Sequence, residues 1–147
     1  MNLDDLLAQG RLRRRSARKE EIQGLLRVAD RDLKDAAVPG LSSDRRFLVA
    51  YEAALALATV PLRCKGYETH GQGHHWTTFQ SLPLTMGDDL KDLSDYFENC
   101  RNKRNVGAYD RSGGISRSEA AELLEEAGAF KEKARRWLRD QFPEFLD

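Results

Sequence analysis

The chain has 147 residues, enough for one domain with a single continuous core, and its 24 lysines and arginines balance 24 aspartates and glutamates. A net charge of zero excludes a protein that coats nucleic acid through the field of its whole surface, while leaving room for a local basic cleft. Cys64 and Cys100, with no signal peptide ahead of them, are expected to be reduced thiols of a soluble cytoplasmic protein. No apolar run approaches the roughly 20 residues of a membrane span.

Residues 2–8 read as one or two helical turns closed by Gly10. The basic run Arg11, Arg13, Arg14, Arg15, Arg18, Lys19 follows. Because Glu20 and Glu21 come at once, it reads as a solvated linker and first helical turn rather than a nucleic-acid arm. Ser16 is expected to cap a helix with apolar positions Ile22, Leu25, Leu26, Ala29, Leu33 and Ala36, ended by Pro39-Gly40. Leu41-Ser42-Ser43-Asp44 opens the next helix, which runs to about Cys64 and carries Phe47, Ala50, Tyr51, Ala54, Leu57 and Ala58. Its many alanines keep it slim, so it is the expected central helix, and Pro61 is predicted to kink its last turns.

Lys65 to Gly73 reads as a loop, and Trp76 to Leu84 as a short apolar segment. Met86-Gly87-Asp88-Asp89 starts a helix whose stripe is Leu90, Leu93, Phe97 and Cys100. Asp110 to Gly114 reads as a polar turn. Ser116-Arg117-Ser118-Glu119 has the capping-box form and opens a last helix carrying Ala120, Leu123, Leu124, Ala127, Phe130, Ala134, Trp137 and Leu138, to near Phe142-Pro143. No segment alternates as a strand does. The pattern predicts a single all-α domain, an up-and-down bundle of four main helices plus short accessory ones.

Arg104 takes the next place in the stripe of Leu90, Leu93, Phe97 and Cys100, where the periodicity calls for an apolar residue. Burying an unpaired guanidinium would cost several kcal/mol, so the position calls for a carboxylate, a phosphate-bearing ligand or a wet cleft. Arg101 and Asn105 share nearly the same face, and Tyr109 and Asp110 follow where Gly107 allows the helix to end or bend. Two arginines and an asparagine on one face can grip phosphate, and Tyr109 can stack on a base or donate its hydroxyl. The alternative is an ion-pair network, with Asp110 and a carboxylate from another helix neutralising Arg101 and Arg104.

His70, His74 and His75 lie within six positions. With Cys64 they fit no familiar zinc spacing, and neither a metal nor a cofactor is expected. They serve either as a capped helix start or as a histidine facing the arginines across a cleft. The sequence holds no phosphate loop, dinucleotide fingerprint or Ser-His-Asp arrangement.

The late Arg-x-x-Arg-Asn-x-x-x-Tyr-Asp, with Leu41-Ser42 entering Arg46-Phe47 and Ala50-Tyr51, Gly66-Tyr67, Gly73-His74-His75 and Ile115-Ser116, resembles the HEPN superfamily. It is similar in particular to the small bacterial stand-alone branch related to substrate-binding partners of minimal nucleotidyltransferases. The resemblance covers nearly the whole chain. It implies a helical bundle that often forms a homodimer around its polar motif and binds nucleotide or RNA. In many members it also implies metal-independent RNA cleavage as the toxin of a toxin–antitoxin pair. Cleaving members carry an arginine followed, after four to six residues, by histidine. Here the corresponding positions after Arg104 are Tyr109, Asp110 and Arg111; Asn105 is present and the histidine is not.

That absence matters because cleavage through the 2′-hydroxyl wants a group titrating near neutrality. Tyrosine would need a shift of roughly three units, about 4 kcal/mol, to serve as well. His74 or His75 can supply the group only if their loop folds back onto the cluster. The expected function is nucleotide or RNA binding through Arg101, Arg104 and Asn105, completed by Tyr109 and Asp110, with little or no catalysis. A ribonuclease toxin is the first alternative. The second is a structural bundle that docks a nucleotidyltransferase or a second copy.

Overall fold

The computed structural model describes residues 1–110 and 114–147, with residues 106–110 described as backbone alone. In chain order the elements are α1 (Leu3–Ala8), β1 (Leu12–Arg14), α2 (Lys19–Ala36), α3 (Ser43–Cys64), β2 (Tyr67–Thr69), α4 (His74–Gln80), α5 (Leu82–Met86), α6 (Lys91–Asp110) and α7 (Arg117–Gln141). Short 3-10 turns at Asp88–Leu90 and Pro143–Phe145 flank the last two long helices. The molecule is a predominantly helical bundle.

α3 is its axis. It packs most extensively on α2 and α7, and also meets α4, α5 and α6. Ala50, Ala53, Ala54 and Ala58 are fully buried along it, so neighbouring helices approach its backbone closely. Ser42 starts it as expected, its Oγ accepting from the Arg45 amide at 3.2 Å. The helix runs on through Pro61 to Cys64. Contrary to the expectation from apolar runs, its 22 residues are long and apolar enough to span a bilayer by composition. In the fold, 72% of its apolar 18-residue window is buried. Around α3, Tyr51, Phe79, Phe97 and Phe130 form a chain of rings with centroids 5.7, 5.4 and 5.5 Å apart. Cys64 and Cys100 are buried free thiols. Burial first pushes their pKa values up, to about 12 and about 11, so both stay protonated.

At the start of α7 the capping box forms: Ser116 Oγ accepts from the Glu119 amide, and Glu119 Oε1 from the Ser116 amide, each at 3.0 Å. The Glu119 carboxyl also takes Lys103 Nζ at 2.9 Å, which ties α6 to α7.

Two expectations need correction. The segments read as linker and loop are strands: β1 pairs antiparallel with β2, Leu12 opposite Thr69, Arg13 opposite Glu68 and Arg14 opposite Tyr67. Three residues per strand are too few to show a period, and the pairing depends on a small satellite core of Leu6, Leu12, Leu62 and Tyr67. Ser16 does not cap α2, which begins at Lys19 with Arg18 at the cap position. Its carbonyl, like that of Arg15, is held by the Arg63 guanidinium, which keeps this segment extended. Helix α6 runs on through Gly107 to Asp110, a single interior glycine costing only about 1 kcal/mol. The segment Trp76 to Leu84 is two short helices, α4 and α5, that begin at His74 and Leu82. The turn read at Asp110 to Gly114 lies largely outside the described residues.

Arg63 was not singled out by sequence. Its guanidinium is 4% exposed and all five N–H groups have acceptors. Nε and Nη2 fork onto Glu21 at 2.7 and 3.1 Å, Nη1 donates to the Arg15 and Tyr67 carbonyls at 2.8 Å, and Nη2 reaches the Ser16 carbonyl at 3.1 Å. One side chain of α3 therefore fastens α2 and both strands to the bundle.

Candidate anion site at Tyr51

The stripe on α6 buries Leu90, Phe97 and Cys100 and half-buries Leu93. It delivers Arg104 to the edge of the core, its side chain 31% exposed. There the guanidinium lies over the Tyr51 ring, 5.2 Å from its centroid. Such a contact contributes about 0.5–1 kcal/mol at a partly exposed position. Its ionic partner is Glu52 on α3, Nη2 to Oε1 at 3.7 Å, and Nη1 reaches Asn105 Oδ1 only at 3.5 Å. Arg104 Nε is buried with no hydrogen-bond partner among the described residues. Arg101 is held more firmly, by Glu98 on its own helix, at 2.5 and 3.0 Å.

On the other side of Tyr51 stands His75. Its Nδ1 is 2.8 Å from the Tyr51 hydroxyl and the two rings are 5.7 Å apart. Tyr51 is fully buried, and burial pushes its phenol pKa up, so the O–H is available to donate to Nδ1 and leave the imidazole proton on Nε2. Burial first, then the positive charges of Arg104, Arg101 and His74, hold the His75 pKa below the ordinary histidine value. The imidazole is therefore neutral at pH 7 and sits in a field that favours anions.

The loop does fold back, then, but it divides its histidines. His75 joins Arg104 at Tyr51, with Asn105 beside Arg104 and Arg101 near enough to act on His75 by charge. His74 turns to β2, its Nδ1 2.7 Å from Thr69 Oγ1, and His70 is exposed at the end of the ribbon. The fold-back uses Gly71 and Gly73, both with φ near +70°, 73° and 72°. A Cβ on Gly71 would stand 3.0 Å from the Gly10 carbonyl oxygen. The side chains of Tyr109 and Asp110, expected to complete the site, lie outside the described residues. Among the described residues no group of three or more histidine, cysteine, aspartate or glutamate side chains is placed to hold a metal.

Sequence reasoning treated Tyr51 as a core position and passed over Glu52 and Glu98. Glu98 was legible as the i, i+3 partner of Arg101. Nothing local marked Tyr51 as the hub, since its two polar neighbours come from other helices.

A site of this make-up accepts an oxyanion: one guanidinium and a neutral imidazole face the same ring, and a second guanidinium, Arg101, adds its charge. Its histidine also gives a pH signature. The folded chain binds fewer protons at His75 than the unfolded chain as pH falls through about 6.5. Stability linked to His75 is thus fully present above that pH and declines on acidification. Urea melts should show the wild type losing more stability between neutral and mildly acidic pH than His75→Gln; equal losses would contradict this placement.

Comparison of the chain with known protein families, with curated proteins and with solved structures finds no match in any of the three.

Proposed function

We propose that this protein is a HEPN-like helical bundle that binds the phosphate of a nucleotide or RNA between Arg101, Arg104 and Asn105, beside Tyr51 and His75. The observation that carries this reading is the state of Arg104. Its Nε has no partner among the described residues and its carboxylate partner stands off at 3.7 Å. A buried donor left unmade costs about 1–3 kcal/mol, and because Nε is closed to solvent an oxyanion relieves that deficit by drawing the 31% exposed side chain outward. Arg101, already forked onto Glu98, adds charge without needing to move.

A second reading, a metal-independent ribonuclease, is favoured by one observation: His75 lies against the same Tyr51 ring as Arg104. Held neutral, with Nε2 protonated and Nδ1 taken by the Tyr51 hydroxyl, its imidazole becomes a general base for the 2′-hydroxyl once the substrate hydroxyl takes the place of Tyr51 at Nδ1. The arginines would then stabilise the charge that develops on phosphate.

Incubation with labelled total RNA, and separately with ATP, without added metal, distinguishes these readings. Saturable binding without cleavage, lost in Arg104→Ala, supports the binding module. Cleavage abolished by His75→Gln supports the ribonuclease. Absence of both activities in a folded wild type refutes both and points to a docking role for the bundle.

A further inference from the structure

The basic run after α1 is built into a surface. Strand alternation sends Leu12 inward and Arg13 to the opposite face of the β1–β2 ribbon, where Arg15 joins it through Glu68, while Arg11 lies at the end of the ribbon. Across from them lie Glu68, opposite Arg13, and His70, whose amide donates to the Arg11 carbonyl at 2.8 Å. Glu68 is shared: its Oε1 takes Arg13 Nε and its Oε2 takes Arg15 Nη1 at 2.7 Å. One carboxylate is thus shared by two guanidinium groups, whose side chains remain 60% and 58% exposed. The face runs for about 13 Å, four residue steps along a strand.

Arg11, at the end of the ribbon, brings the basic run to the first turn of α4, which packs on the inward face of the ribbon and also carries His75 of the Tyr51 site. Three consecutive side chains there go three ways: His74 to Thr69 on β2, His75 to Tyr51, and Trp76 beneath the Arg11 guanidinium, 4.5 Å from the ring centroid. Arg11 and Arg104 are therefore separated by one helical turn, which carries histidines and an indole, and by the Tyr51 ring.

We propose that the ribbon face extends the anion site, so that the ligand is a single-stranded RNA several nucleotides long. One phosphate sits at Arg101 and Arg104, and the phosphates that follow lie along Arg11, Arg13 and Arg15. This rests on reading the Tyr51 site as a phosphate site. An unpaired strand is the polyanion that fits. It is flexible enough to turn from the ribbon across α4 to a half-buried arginine, whereas a duplex is stiff over about 50 nm. Its unpaired bases can also stack on exposed guanidinium planes.

The test measures binding of a labelled trinucleotide and dodecanucleotide, both of RNA, over a range of salt. The wild type should bind the longer strand more tightly. Arg13→Ala/Arg15→Ala should lose that advantage and keep trinucleotide affinity. Its slope of log K against log salt should be shallower by about 1.4, two single-strand phosphate contacts at roughly 0.7 each. Glu68→Gln should strengthen dodecanucleotide binding and leave the trinucleotide unchanged. Both pairs of arginine contacts are exposed, so circular dichroism should report the wild-type fold in each variant. A double variant with wild-type dodecanucleotide affinity and salt slope overturns this inference alone, provided Arg104→Ala abolishes trinucleotide binding. A wild type that binds neither strand overturns the phosphate-site reading as well.

Discussion

Arg63→Ala is expected to destabilise the fold by about 3–5 kcal/mol, the cost of breaking a buried, fully hydrogen-bonded ion pair from one side. The loss is large because one guanidinium serves four acceptors on three segments. Removing it strands the Arg15, Ser16 and Tyr67 carbonyls and leaves Glu21 without its fork. A domain of this size has only about 5–15 kcal/mol of stability in all, so the variant should be marginal at best. Arg63→Lys should recover little of it, since an ammonium cannot reproduce the planar fork. The hydrogen bond from Arg63 also holds the Glu21 carboxyl below the usual carboxylate range. That part of the stability is present at neutral pH and lost as acid protonates the lowered carboxyl, so the variant's acid sensitivity should be smaller than the wild type's. Urea unfolding at neutral and acid pH measures both effects. A loss under about 1 kcal/mol would show that the strands are fastened some other way.

Arg104→Ala is expected to do the reverse, leaving stability within about 1 kcal/mol of wild type while weakening ligand binding by about 10- to 150-fold. The stability change is small because its parts nearly cancel. A half-exposed ion pair at 3.7 Å contributes little, and the contact with Tyr51 contributes about 0.5–1 kcal/mol. Against these stands relief of an N–H buried without a partner among the described residues. The binding loss follows from removing one charge-assisted hydrogen bond to phosphate, about 1.5–3 kcal/mol. A thermal melt paired with a titration separates the two arginines: Arg63 is a fastening for the fold, and Arg104 is held ready for something outside it. If Arg104→Ala instead unfolded the chain, the guanidinium would be structural.

The contrast between these two arginines also shows what a sequence can reveal. Arg104 was legible because it interrupts a stripe of apolar residues in a long helix, where position predicts burial. Arg63 occupies a helix end beside Pro61 and Cys64, where a basic residue is ordinary, and its acceptors come from segments up to 48 residues away. The helices with serine caps at Ser42 and Ser116 were readable for the same local reason as Arg104. Each strand of the ribbon, by contrast, is three residues long and packs on both Leu6 and Leu62, one of which is always remote from it in sequence. His75 falls between these cases. Its neighbourhood with Arg104 depends on the path through Gly71 and Gly73 and on Tyr51 standing between them, a tertiary arrangement that no spacing encodes.

The most direct test of the central claim is an equilibrium titration of wild type and Arg104→Ala with a short labelled oligoribonucleotide, without metal, at constant salt. Saturable binding by the wild type, weakened at least about tenfold in a variant of unchanged stability, is the predicted result. Equal affinities, or no binding by a folded wild type, would contradict the assignment of a phosphate site at Tyr51.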